Sequence, residues 1–166
     1  MGTVLYELSF RLESAMLIPL IMLIMIPLVP WQQRRRYGRR TGLGAKIFLG
    51  VMWCLVLVTE IFAGSQQWKL HRTVQDAYSS GNYQTVEGYV ENFDPMPAEG
   101  HKQESFDVNG VHFSYSDYLI QPGYRNARSK GGVISGNGQH LKIGYLWYNE
   151  AYGNIIVYIE ELPPKP

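Results

Sequence analysis

The chain has a single cysteine, Cys54, and it sits inside an apolar run. One thiol excludes a disulfide framework within the chain and any cysteine-based zinc site. Histidine is scarce as well. The four present are His71, His101, His112 and His140, and none falls in an HExxH or other metal-ligand spacing. No GxSxG nucleophile motif occurs. Asp107 and His112 are near neighbours in sequence, but no nucleophile stands at a defined spacing from them, so they read as polar residues on a solvated face. The expectation is a protein that is not an enzyme, with no metal and no cofactor. Charge is also thin, at 17% of residues, and it is absent altogether from one stretch.

That stretch, Ala15–Trp31, reads AMLIPLIMLIMIPLVPW. It is at the short end of what a membrane-spanning helix needs, about 17–25 residues. Pro19 and Pro27 each remove a backbone donor, so a kink is expected. Glu7 and Glu13 precede it and no small-residue cleavage pattern follows, so it reads as a retained helix rather than a signal peptide. A second apolar run, Leu43–Gly64, has Lys46 and Glu60 near opposite ends, where both can reach water. Trp68 and Lys69 follow as interfacial anchors. Gly50 and Cys54 have the small-xxx-small spacing that permits close helix approach, a pattern too common to carry an argument.

Between the two runs lies PWQQRRRYGRRTG, Pro30–Gly42, with five arginines. In isolation such a run suits any phosphate-rich partner. Its position makes it the turn of a membrane hairpin that meets lipid headgroups. Six Lys/Arg lie between the spans, counting Lys46, and only Arg11 lies before the first. The positive-inside rule then puts the loop in the cytoplasm and the rest of the chain outside.

Residues 65–82 read as a connecting helix that continues from the membrane and ends at Gly81. From Gln84 the pattern changes to period two. Val86, Gly88 and Val90 share one face of QTVEGYVENF. In ESFDVNGVHFSY, Asn109-Gly110 is the preferred pair for a type I′ hairpin. That turn pairs Val108 with Val111 and Phe106 with Phe113 on one face, and Asp107 with His112 and Ser105 with Ser114 on the other. HLKIGYLWY places Leu141, Ile143 and Tyr145 on one side, and NIIVYIEEL does the same for Ile155, Val157 and Ile159. A further short strand is expected at Gly132–Ser135. The fold class expected is a membrane α-helical hairpin plus an all-β C-terminal domain, closed as a small antiparallel β-barrel. Its divisions are a transmembrane region over 1–64 (spans about 15–31 and 43–64), a connecting helix over 65–82, a β-barrel over 83–162 and a tail over 163–166.

YSDYLIQPGYRNARSKGG is the candidate ligand segment. Tyr115, Tyr118 and Tyr124 offer rings that stack on bases, Arg125, Arg128 and Lys130 offer charge for phosphate, and Gly131-Gly132 lets backbone N–H groups approach an anion. On composition alone a surface loop with half-buried tyrosines accounts for the same residues.

Two N-terminal spans and a small all-β domain resemble the two-transmembrane β-barrel effectors of cyclic-oligonucleotide antiphage defence, the CBASS type. The resemblance is one of architecture, over hairpin 15–64 and β-domain 84–162. It implies a cyclic dinucleotide ligand with no direct DNA or RNA partner, a bilayer partner, homo-oligomerisation on ligand binding, and disruption of the bacterial inner membrane leading to cell death. It also implies a cytoplasmic β-domain, against the positive-inside reading. The alternative expectation is a constitutive inner-membrane protein whose periplasmic β-domain serves partner binding or assembly.

Overall fold

A computed structural model describes residues 2–9, 32, 42–99 and 102–164. The expected first span at 15–31 and the arginines of the basic run lie outside the described residues. The chain divides into two compact units, one of residues 11–69 and the other of residues 1–10 with 70–166.

In the first unit the described structure is helical. Helix α1, Leu43–Ser79, has 37 residues and runs on into the second unit. At about 1.5 Å per residue it is about 55 Å long. It is the one helix among the described residues long and apolar enough to cross a membrane. Many of its large apolar side chains stand exposed, including Leu43, Ile47, Phe48, Leu55, Val58 and Phe62, while Leu49, Trp53, Val56 and Leu57 share a half-buried face. A helix apolar all round finds its solvent in lipid or in a protein core.

The second unit is a six-stranded antiparallel sheet. Its strands are β1 (Thr3–Glu7), β2 (Gln84–Asp94), β3 (Glu104–Val108), β4 (Val111–Tyr115), β5 (His140–Trp147) and β6 (Asn154–Glu161). Their order is β1-β6-β5-β2-β3-β4. The sheet is not closed into a barrel: β1 and β4 are its edges. It curls nonetheless, since Asn154 Nδ2 at the start of β6 donates to the His112 carbonyl of β4 (2.9 Å).

The β3–β4 hairpin has the expected register. Val108 faces Val111, Phe106 faces Phe113 and Asp107 faces His112. Asn109 and Gly110 both have positive φ, 48° and 80°, as a type I′ turn requires. The inward residues of β2 to β5 form the main core, with Phe106, Phe113, Leu141 and Ile143 fully buried.

Three elements differ from expectation. The N-terminal residues 3–7, assigned by sequence to the membrane region, form β1 and pair with β6. The segment Gly132–Ser135 is not a strand. The third difference is on β6, where Ile155 and Val157 do not share a face with Ile159. Tyr145 pairs with Ile156 and Gly144 with Tyr158, so Val157 is an extra residue in a bulge. The bulge sends Ile156 and Ile159 into the main core and turns Ile155 and Val157 to the other face. There they meet Leu70 and Val74 from the last turns of α1. The helix then ends in a Schellman motif, with Asn82 N bonded to Ala77 O (2.8 Å), Gly81 N to Tyr78 O (3.1 Å) and Gly81 at φ 71°.

Candidate functional site

The candidate segment 115–132 is a long irregular connection, and one buried carboxylate organises it. Glu104 is fully buried at the inward-facing start of β3. Its two oxygens accept from the Tyr115 hydroxyl (2.6 Å), from the backbone N–H of Arg128 (3.1 and 3.0 Å), and from the backbone N–H of Met96 (3.3 Å). A charge in a core costs several kcal/mol unless it is this thoroughly bonded. Glu104 therefore ties Met96, just past β2, and the short 3-10 turn Arg128–Lys130 to the start of β3.

The loop is held at two further places. Tyr124 N donates to the Ile156 carbonyl beside the β6 bulge (2.8 Å), and the Tyr124 hydroxyl accepts from Val133 N (2.6 Å). Gly123 makes that crossing feasible. Its φ is 93°, and a Cβ there would lie 2.5 Å from the Ile156 oxygen.

These anchors divide the expected site residues into two groups. Tyr115 and Tyr124 are core side chains, packed edge to face at 5.2 Å. Burial, and then the bond to Glu104, push the Tyr115 hydroxyl well above its ordinary range. Burial pushes Tyr124 up to about 12. Their hydroxyls are committed within the fold, so neither ring is a stacking surface for a ligand arriving from solvent. The other four residues reach the surface or its edge. Tyr118 is 56% exposed. Lys130 Nζ lies 5.8 Å from the centre of that ring and 3.3 Å from an Asp117 carboxylate oxygen. Arg128 is exposed, with its guanidinium 5.9 Å from the Phe93 ring centre. Arg125 is half-buried and donates through Nη1 to the Leu119 carbonyl (2.8 Å). The structure brings Tyr118 and Lys130 together beside Asp117, while the Arg128 guanidinium lies by Phe93 and Gly136 and Arg125 bonds the Leu119 carbonyl.

Sequence reasoning missed Glu104, although a signal existed. In ESFDV the acid occupies the inward parity of Phe106 and Val108, where a charge demands partners. It also missed a groove of 420 Å³ at the far end of β5. Tyr89, Gln139, His140, Glu161 and the tail residues Leu162 and Pro163 form most of its wall.

On the outer face of the hairpin, Asp107 accepts from Asn92 Nδ2 (2.7 Å) and pairs with His112 Nδ1 (2.6 Å). The Asn92 bond, then the His112 bond, hold the Asp107 carboxyl below its usual range. His112 is 66% exposed, and this pair is a surface clasp across the hairpin.

No protein-family model, no curated protein and no solved structure matches this chain.

Proposed function

We propose that the protein is a membrane-embedded effector of bacterial antiphage defence. Its β-domain binds a cyclic dinucleotide, binding promotes homo-oligomerisation, and the assembled hydrophobic helices disrupt the inner membrane. The observation that carries this reading is the 115–132 loop, which presents the Tyr118 ring with Lys130 beside it and an exposed Arg128. The loop is held at Arg128 on a buried carboxylate, in a chain whose helix exposes many large apolar side chains. Stacking rings and fixed cations are what a nucleotide phosphate requires.

The position of β1 supports a two-span arrangement. Because β1 pairs with β6, residues 3–7 share a compartment with residues 70–164. If the apolar part of α1 crosses the bilayer once, a second crossing has to return the chain between residues 8 and 42. Ala15–Trp31 is the uncharged run available there. The curl that brings Asn154 of β6 to β4 is compatible with barrel closure on ligand binding or assembly.

The test is a titration of the full chain in detergent with a panel of cyclic dinucleotides. The expected result is saturable binding that Arg128→Ala weakens by about 10-fold or more, the scale of one charge-assisted phosphate contact. The Arg128 backbone N–H still reaches Glu104 in this variant, so folding is retained. Absence of binding across the panel refutes the sensor.

A second reading is a constitutive inner-membrane protein with a periplasmic partner-binding β-domain. The arginine run favours it, since the positive-inside rule places that loop opposite the β-domain.

A further inference from the structure

We propose that the groove beside His140 receives a purine base, with guanine preferred, an inference that rests on the reading of the β-domain as a nucleotide sensor. The C-terminal tail forms one wall. Leu162 N donates to the His140 carbonyl (2.8 Å), and His140 Nδ1 bonds the Pro163 carbonyl (2.8 Å). A carbonyl only accepts, so Nδ1 carries a proton. That ring's Nε2 is buried without a hydrogen bond, with Glu87 Oε1 3.6 Å away.

The opposite wall is a two-ring stack. The Tyr89 ring lies on His140 with centroids 4.7 Å apart and planes 23° from parallel. Tyr89 remains 38% exposed, so the groove has a flat aromatic surface backed by a buried second ring. Glu161 supplies the polar edge. Its Oε1 accepts from Gln139 Nε2 (3.1 Å). Gln139 is itself pinned by Ser135 N (2.8 Å) and the Val133 carbonyl (3.1 Å). The Glu161 carboxylate is thereby positioned at the groove.

Among the described residues, no lysine or arginine lines the groove. Its carboxylate among the described lining residues is Glu161 and its flat wall is the Tyr89 ring, while Thr3 and Gln139 add groups that can donate as well as accept. The complementary ligand part is a flat heterocycle with adjacent N–H donors and no negative charge. A guanine edge presents two such donors to one carboxylate, and its face stacks on Tyr89. The phosphates belong outside the groove, on the side of Arg128. Gly138 and Gln139 line the groove, while two residues earlier Arg128 Nη1 lies 3.7 Å from where a side chain at Gly136 would begin.

Neutral nucleosides isolate the base from the phosphate. The full chain in detergent is titrated with guanosine, adenosine and cytidine, then with cyclic di-GMP. The expected order is guanosine over adenosine, with cytidine weakest. Glu161→Gln removes the preference for guanosine over adenosine. Tyr89→Leu, which keeps an apolar cover on His140, weakens both purines roughly 10-fold, the scale of one lost stacking contact. Arg128→Ala leaves guanosine binding unchanged. Guanosine binding indifferent to both groove variants overturns the proposal, as does N-acetyl-lysine methylamide competing as well as guanosine. Cyclic dinucleotide binding that survives both groove variants overturns the groove assignment and leaves the sensor standing. Guanosine binding of the expected pattern without any cyclic dinucleotide binding upholds the groove and overturns the sensor.

Discussion

Replacing Glu104 by glutamine tests whether one buried carboxylate organises the 115–132 loop. The wild-type oxygens serve three donors: the Tyr115 hydroxyl, the Arg128 amide and the Met96 amide. A glutamine can keep its oxygen toward Tyr115 and Arg128, but its NH₂ then faces the Met96 N–H, donor against donor. One buried donor is orphaned, at about 1–3 kcal/mol, and two bonds lose the strengthening that an ionised acceptor provides. The sum is about 2–4 kcal/mol. For a domain of this size that lowers the melting temperature by on the order of 10–20 °C. Tyr115→Phe removes a single bond to a charged group, about 1.5–3 kcal/mol. The assay is thermal unfolding of the full chain in detergent, with amide hydrogen exchange read at Arg128 and Met96. In Glu104→Gln both amides should lose protection before the strands do. In the Glu104→Gln background, Tyr115→Phe should cost less than it does alone, because the two residues share one network. A Glu104→Gln protein that melts within about 1 °C of wild type, with Arg128 still protected, would refute this account of the loop.

The buried tyrosines predict the alkaline limit. Tyr115 and Tyr124 have raised pKa values in the folded state, so their contribution is complete below the unfolded value near 10 and is lost as pH rises toward and past 12. Absorbance titration at 295 nm should therefore show a fraction of the tyrosines ionising only with unfolding; a smooth titration of all of them near pH 10 contradicts their placement. Asp107 behaves oppositely: its pKa is depressed, so its contribution is present above the unfolded value near 4 and is lost as pH falls through the lower folded value. Asn92→Ala, which removes the first cause of that shift, should flatten the acid side of the stability profile, and an unchanged acid slope counts against it. Gly123→Ala places a Cβ at φ 93° and 2.5 Å from the Ile156 oxygen, so it should destabilise by at least about 2 kcal/mol; a neutral result in denaturant unfolding would mean that the loop does not cross β6 as described.

The parts of the fold legible in the sequence were those written locally. Asn109-Gly110 set the hairpin and its register, and the alternation of Leu141, Ile143 and Tyr145 marked a core face. β1 carried no such signal, because Thr3–Glu7 finds its partner in β6 at the other end of the chain. The bulge at Val157 was equally silent, since NIIVYIEEL is apolar on both parities and either face could be read as inward. In the site, Tyr115 continues the inward parity of Phe113, so its burial could have been read from the strand. Tyr124 lies in irregular backbone with no period to place it. The groove depends on a tail folding back on His140, which no spacing rule anticipates.

If α1 spans a membrane, the side that holds the β-domain decides between the two proposed functions. Fusing a periplasm-only reporter and a cytoplasm-only reporter, in turn, to Pro166 and to the N-terminus measures it directly. Since β1 and β6 share one sheet, both ends must report the same compartment. A sensor of a cytoplasmic nucleotide predicts cytoplasmic signal at both ends. Strong periplasmic signal at both ends would contradict the effector reading and leave the arginine run facing the cytoplasm, as its charge alone implies.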